Sequence, residues 1–166
     1  LSEALNDTAF TSICSDLDVS TSALKGQCEP YVIKEIDGVK VGFFSLMTED
    51  LPLVTSERDV KIISDNVTTA KMMVKLLREK EVNVIVALSH IGYKQDVALA
   101  KQVKGIDLIF GGHSHEYVKK MGRIHKIAIV NGGEQGTQII KVDIPLDKDL
   151  KVLSKKIKMT NIPVTD

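Results

Sequence analysis

The run Val84-Ile85-Val86-Ala87-Leu88, flanked by Asn83 and Ser89, limits the folds open to this chain more than any other feature. Five consecutive apolar residues at strand length read as a strand buried on both faces, the kind found in parallel sheets covered by further layers. The segment before it has a different period. Val67, Ala70, Val74 and Leu77 recur at steps of three, four and three, with Met73 beside them, while Lys71, Lys75 and Arg78 fall off that stripe. This predicts a helix from Asp65 to about Lys80, with Ser64 as its N-cap. After the run, Asp96 can cap a short helix from Val97 to Val103, and Asp107 to Phe110 reads as a second apolar strand ended by Gly111 and Gly112. Strands alternating with helices predict parallel pairing through helical crossovers.

The flanking segments have antiparallel character. Tyr31 to Ile36 alternates apolar and polar residues, Asp37-Gly38 is a hairpin turn, and Val39 to Met47 returns as the partner strand. Ile127 to Val130, Thr137 to Ile144 and Leu150 to Met159 read as three more strands, with Gly132, Gly133 and Gly136 between the first two. Leu1 to Asp7 is read as the end of a helix and Phe10 to Asp16 as a short strand. Val19 to Gln27 and Thr48 to Asp59 are read as loops. The expected class is therefore α/β with mixed sheets. There is no internal repeat and no clear linker, so the chain is expected to be one domain.

Composition removes several functions. Lys plus Arg and Asp plus Glu each number 22, so the net charge is zero. A broad electrostatic grip on a nucleic-acid polymer or an anionic membrane is not expected. Aromatics are 4% with no Trp, too few for a base-stacking surface. No apolar run approaches the roughly 20 residues of a membrane span. The chain opens at Leu1 with neither a basic n-region nor a signal-like apolar stretch, as expected of a processed chain or one cut from something longer. Cys14 and Cys28 form no Cys-x-x-Cys pair and have no His at zinc-ligand spacing. They are expected to be two unrelated thiols; the alternative is a disulfide closing a short loop, worth about 3 kcal/mol.

Chemistry concentrates in the histidines. His90 follows the apolar run directly, and His113 and His115 follow the second strand after Gly111-Gly112. If these strands are parallel neighbours, all three imidazoles meet at the carboxyl edge of the sheet, where open α/β sheets place ligands. That donor set suits zinc, iron or manganese. Gly92, Gly111 and Gly112 let the backbone turn sharply and leave the site open. His125, between Arg123 and Lys126 on a turn, is read as a surface residue.

The stretch Asn83-Val-Ile-Val-Ala-Leu-Ser-His-Ile-Gly92, then Asp96, then Gly105-Ile-Asp-Leu-Ile-Phe-Gly-Gly-His-Ser-His115, closely resembles the calcineurin-like metallophosphoesterases. The branch it is most similar to comprises 5′-nucleotidases and 2′,3′-cyclic-nucleotide phosphodiesterases. The hairpin Tyr31 to Gly42 and the turn Asn131-Gly-Gly-Glu-Gln-Gly136 carry the same resemblance, which extends from about Phe10 to Leu146. It implies a four-layer α/β/β/α sandwich with two divalent metals, Zn, Mn or Fe, at the strand ends. His90 and His113 would hold one metal and His115 the other. The pair would polarise phosphate oxygens and lower the pKa of a bridging water, whose hydroxide attacks phosphorus.

The departures from the family pattern are equally specific. The family's Asp-x-His, Gly-Asp and Asn-His motifs, which supply the other ligands, the bridging carboxylate and the leaving-group acid, do not occur here. The resemblance thus implies that residues 1–166 are the C-terminal half of a catalytic domain, lacking its N-terminal half and the family's C-terminal substrate domain. The parent is expected to hydrolyse nucleotides or other phosphate esters outside the cell, at its surface or in the periplasm. The isolated chain is expected to be inactive and prone to self-association. Two other readings stand beside this one: a binding or scaffold domain that keeps the fold without chemistry, and a related hydrolase of another phosphate or sulfur ester.

Overall fold

The computed structural model describes residue 5, residues 9–51 and residues 59–165. The helix end expected over Leu1 to Asp7, apart from residue 5, and most of the loop expected over Thr48 to Asp59 lie outside the described residues. In chain order the strands are β1 (Ser12–Ile13), β2 (Leu17–Asp18), β3 (Cys28–Glu29), β4 (Val32–Ile36), β5 (Val39–Met47) and β6 (Lys61–Ile62). Helix α1 (Asn66–Glu79), β7 (Val84–His90), α2 (Tyr93–Gln102) and β8 (Leu108–Gly111) follow. The chain continues through β9 (Gly122–Ile124), β10 (Ile127–Asn131), β11 (Gln138–Asp143), a 3₁₀ turn at Ser154–Lys156 and β12 (Lys158–Pro163).

The main sheet has the order β4-β5-β7-β8-β10-β9. Its four central strands are parallel and its two edge strands antiparallel. The expected hairpin is present: Asp37 and Gly38 both have positive φ, 50° and 78°, the left-handed pair that fits a two-residue turn to strand twist. The mixed α/β reading therefore holds, with β7 and β8 as parallel neighbours. The carboxyl ends of β5, β7, β8 and β10 share one edge.

The alternation of side chains builds two cores. Ile85, Ala87, Ile109, Ile127 and Ile129 face the helices, meeting Ala70, Met73 and Leu77 of α1 and Leu99 and Ala100 of α2. Val84, Val86, Leu108, Ala128 and Val130 face the opposite way, against Ile140 and Val142 of β11 and Met159 of β12. β7 is thus apolar from Val84 to Ala87 because both faces are covered there.

Several expectations are corrected. The N-cap of α1 is Asp65, which accepts from the N–H of Thr68 at 2.9 Å, and not Ser64, whose hydroxyl lies 2.5 Å from that of Thr69. Asp96 does not cap a helix starting at Val97. It sits inside α2, which begins at Tyr93, and is wholly buried. The strand expected over Leu150 to Met159 is displaced to Lys158–Pro163. Asp147 draws the N–H groups of Asp149 and Lys151 onto Oδ1, and Leu150 takes φ 57°, so the chain folds on itself before it can extend. The strand expected over Phe10 to Asp16 contracts to two residues, and β9 went unpredicted because three residues carry too little pattern. Cys14 and Cys28 are not free thiols but a disulfide. Parallel pairing of β1 with β3 sets Ser12 opposite Cys28 and brings the two cysteine Cα atoms to 5.8 Å, a closeness that sequence spacing alone does not show.

Candidate metal centre

β7 carries His90 to the carboxyl edge, where it lies in register with Met47 of β5. The imidazole can sit close over the next strand because Gly112 has no side chain: a Cβ there would stand 3.1 Å from His90 Nδ1. Past β8 the chain turns through Gly111 and Gly112 and delivers His113 at φ 74° and His115 at φ 56°. Left-handed backbone is uncommon for side chains other than glycine, and His is one of the residues that tolerate it best. Gly92, at φ 94°, takes a backbone conformation that side chains rarely adopt and lies beside the His113–Ser114 loop. Between the two histidines, the Ser114 hydroxyl accepts from the N–H of Tyr93 at 3.1 Å, tying the loop to the first turn of α2.

The imidazoles of His90 and His113 come together, with ring centroids 5.2 Å apart and planes inclined at 63°. Burial, and then the charges that His113 and His115 would carry, hold His90 below the usual histidine range. It therefore stays neutral, the form that ligates. His115 takes a different partner: its Nδ1 lies 2.7 Å from Glu134 Oε2, on the glycine turn after β10. That contact occupies one nitrogen and leaves Nε2 for a ligand. Among the described residues, no three His, Cys, Asp or Glu side chains converge closely enough to hold an ion by themselves. His125 lies at the opposite end of the sheet. It is exposed and borders a cleft of about 820 Å³ together with Lys104, Lys126 and Lys151.

Sequence reasoning missed Glu134, because its reach to His115 depends on β10 lying beside β8. It also missed two buried carboxylates at this edge. Asp16 is 1% exposed and accepts the Met47 N–H on Oδ2 at 2.5 Å. Burial raises its pKa, against the lowering effect of that bond. Asp96 accepts from the Ser89 hydroxyl on Oδ1 at 2.5 Å, and burial pushes its pKa up to about 6.

No family model matches the chain. It is 38% identical over 141 residues to the trifunctional nucleotide phosphoesterase protein YfkN of Bacillus subtilis, which covers 82% of this chain and 10% of that protein. A solved structure described as the calcineurin-like phosphoesterase YfkN from Bacillus subtilis shares the fold. Its TM-score is 0.79 at 22% identity, over 96% of this chain and 57% of that one. The cell wall protein Lmo0130 of Listeria monocytogenes is 34% identical over 143 residues, 72% of this chain and 18% of that protein. The crystal structure of a 5′-nucleotidase precursor from Thermus thermophilus superposes with a TM-score of 0.86 at 26% identity, covering 98% of this chain and 35% of that one. The chain therefore spans well under half the length of the curated relatives it matches.

Proposed function

We propose that this chain, which belongs to the 5′-nucleotidase branch of the calcineurin-like phosphoesterases, forms the C-terminal part of their catalytic domain, and that the intact protein is a metal-dependent phosphohydrolase of nucleotides. The observation that carries this reading is the packing of His90 against His113 at the edge shared by four parallel strand ends. The donors fit divalent transition metals such as Zn, Mn or Fe. Two imidazoles meet there with one kept neutral by burial, and a third is fixed by a carboxylate. His90 and His113 would hold one metal and His115 the other. When bound, the metals supply Lewis acidity to the phosphate oxygens and to the attacking water. The chain's own residues hold the imidazoles in place: Gly112 makes room for His90, and Glu134 sets the tautomer of His115.

The remaining ligands would come from an N-terminal half of the domain. Apolar surface awaiting such a partner supports this, with Leu88 40% exposed on the sheet and Ile139 57% exposed on β11. An extracellular, cell-surface or periplasmic setting is supported by the disulfide and by the relative named as a cell wall protein.

The test is phosphate release from AMP and from 2′,3′-cyclic AMP by the intact protein, with and without chelator. Turnover should need divalent metal and fall at acidic pH, where protons compete for the imidazoles. His90→Ala and His113→Ala should each cost more than the ~10–100-fold that follows loss of a supporting partner, while His125→Ala should leave turnover unchanged. A metal-independent rate, or an inert intact protein, would sink this reading and favour a fold kept without chemistry.

A further inference from the structure

We propose that Asp96 is a positioning residue that braces the His90 and His113 strand ends against each other; this rests on the metal-site reading above. Asp96 lies in the first turn of α2 and is wholly buried. Its Oδ1 accepts from the Ser89 hydroxyl at 2.5 Å, and Ser89 is the residue immediately before His90. Its Oδ2 faces Gly111, two residues before His113, and a methyl group on that glycine would overlap the oxygen. One carboxylate therefore touches β7 and β8 at once, each a step or two below a candidate ligand.

The third wall is Asn131, at the end of β10 and 1% exposed. Its Nδ2 lies 3.5 Å from the same point above Gly111, and its Oδ1 accepts the Gly133 N–H at 3.2 Å, in the turn that carries Glu134. Asp96 Oδ2 and Asn131 Nδ2 have no hydrogen-bond partner among the described residues. A fully buried carboxylate with half its acceptors unused is costly, and an apolar residue of similar size would fill the space more cheaply. Stability of the core does not explain its presence. What it supplies is a rigid polar wedge: it holds Ser89 by a short hydrogen bond and limits how far the Gly111–Gly112 turn can sink. The separation of the His90 and His113 rings follows from those two contacts.

The test is Mn²⁺ affinity of the intact protein by titration calorimetry, together with the imidazole ¹⁵N shifts of His90 and His113 without metal. Asp96→Ala should weaken Mn²⁺ binding by about tenfold or more and move both sets of shifts. Asp96→Asn, which keeps the volume and an acceptor for Ser89, should stay within about threefold of wild type. Ser89→Ala, which removes only the hydroxyl, should weaken binding in the same direction, and it keeps the test open if Asp96→Ala does not fold. Leu99→Ala, buried on the same helix, should lower stability without changing affinity or shifts. Wild-type affinity in Asp96→Ala or in Ser89→Ala overturns the proposal, and so does an Asn variant as weak as the Ala variant, since charge rather than bracing would then matter. Equal affinity of wild type and His113→Ala instead overturns the metal-site reading, and this proposal with it.

Discussion

Asp96 leaves a mark on stability that is separate from its place beneath the histidines. Its folded-state pKa is raised from 3.8 to about 6, so between those values the folded chain keeps a proton that the unfolded chain has released. Stability must therefore fall as pH climbs through that window, by about 3 kcal/mol at ~1.4 kcal/mol per pH unit. Asp16 and Asp107 are raised by burial as well and pull in the same direction, so the informative quantity is a difference between proteins. Urea unfolding at pH 4.5 and 7.5 should show a smaller drop for Asp96→Asn than for wild type; equal drops would remove Asp96 as a cause. The sequence made the three histidines legible, because each directly follows an apolar run that announces a strand end. It did not reveal Asp96 or Glu134. An acidic residue near the start of a helix reads locally as a cap, and only the neighbouring strands show that one carboxylate is buried beside Ser89 and the other faces His115.

Among the elements, those governed by a clear period were readable and those governed by local hydrogen bonds were not. β5 matches its expected bounds, and α1 falls within a residue of its own, because alternation and the 3–4 step survive in any tertiary setting. β12 was misplaced by the Asp147 turn, whose side-chain bonds override the apolar residues that follow it. The β1–β3 pairing was invisible at two residues per strand, and without it the disulfide it aligns could be read only as an alternative to two free thiols. That cross-link spans 14 residues of sequence. In the chain-entropy account a loop of this size contributes about 3 kcal/mol by restricting the unfolded state. Cys14→Ser with Cys28→Ser should lower the stability of the intact protein by that order in denaturant titrations. The effect should disappear when both proteins are compared under strong reductant. A double variant as stable as the oxidised wild type would show the cross-link to be energetically idle.

For the molecule as a whole, the parallel layout was legible from one fully apolar strand set between amphipathic helices, but the layer built by β11 and β12 was not, since half of it was misplaced. The described surface keeps apolar residues where a sandwich would continue: Leu88 on β7, Ile139 on β11 and Ile162 on β12 are 40%, 57% and 42% exposed. Residues 1–166 expressed alone should therefore associate as concentration rises. Analytical ultracentrifugation giving a constant monomer mass across the accessible range would count against this. The strand register has a further consequence, in time. The central ladder joins Val41 to Val84, Val86 to Leu108 and Leu108 to Ala128, so each pairing waits for an intervening helix or turn to form and close a long loop. Among the described residues, the β4–β5 and β9–β10 hairpins can form from near neighbours. Chains dominated by such distant pairings fold over milliseconds to seconds rather than microseconds. For that interval Val84 to Leu88 is an unpaired, uncharged strand, and the speed at which β5 and β8 reach it decides whether a newly made chain folds or is lost to its neighbours.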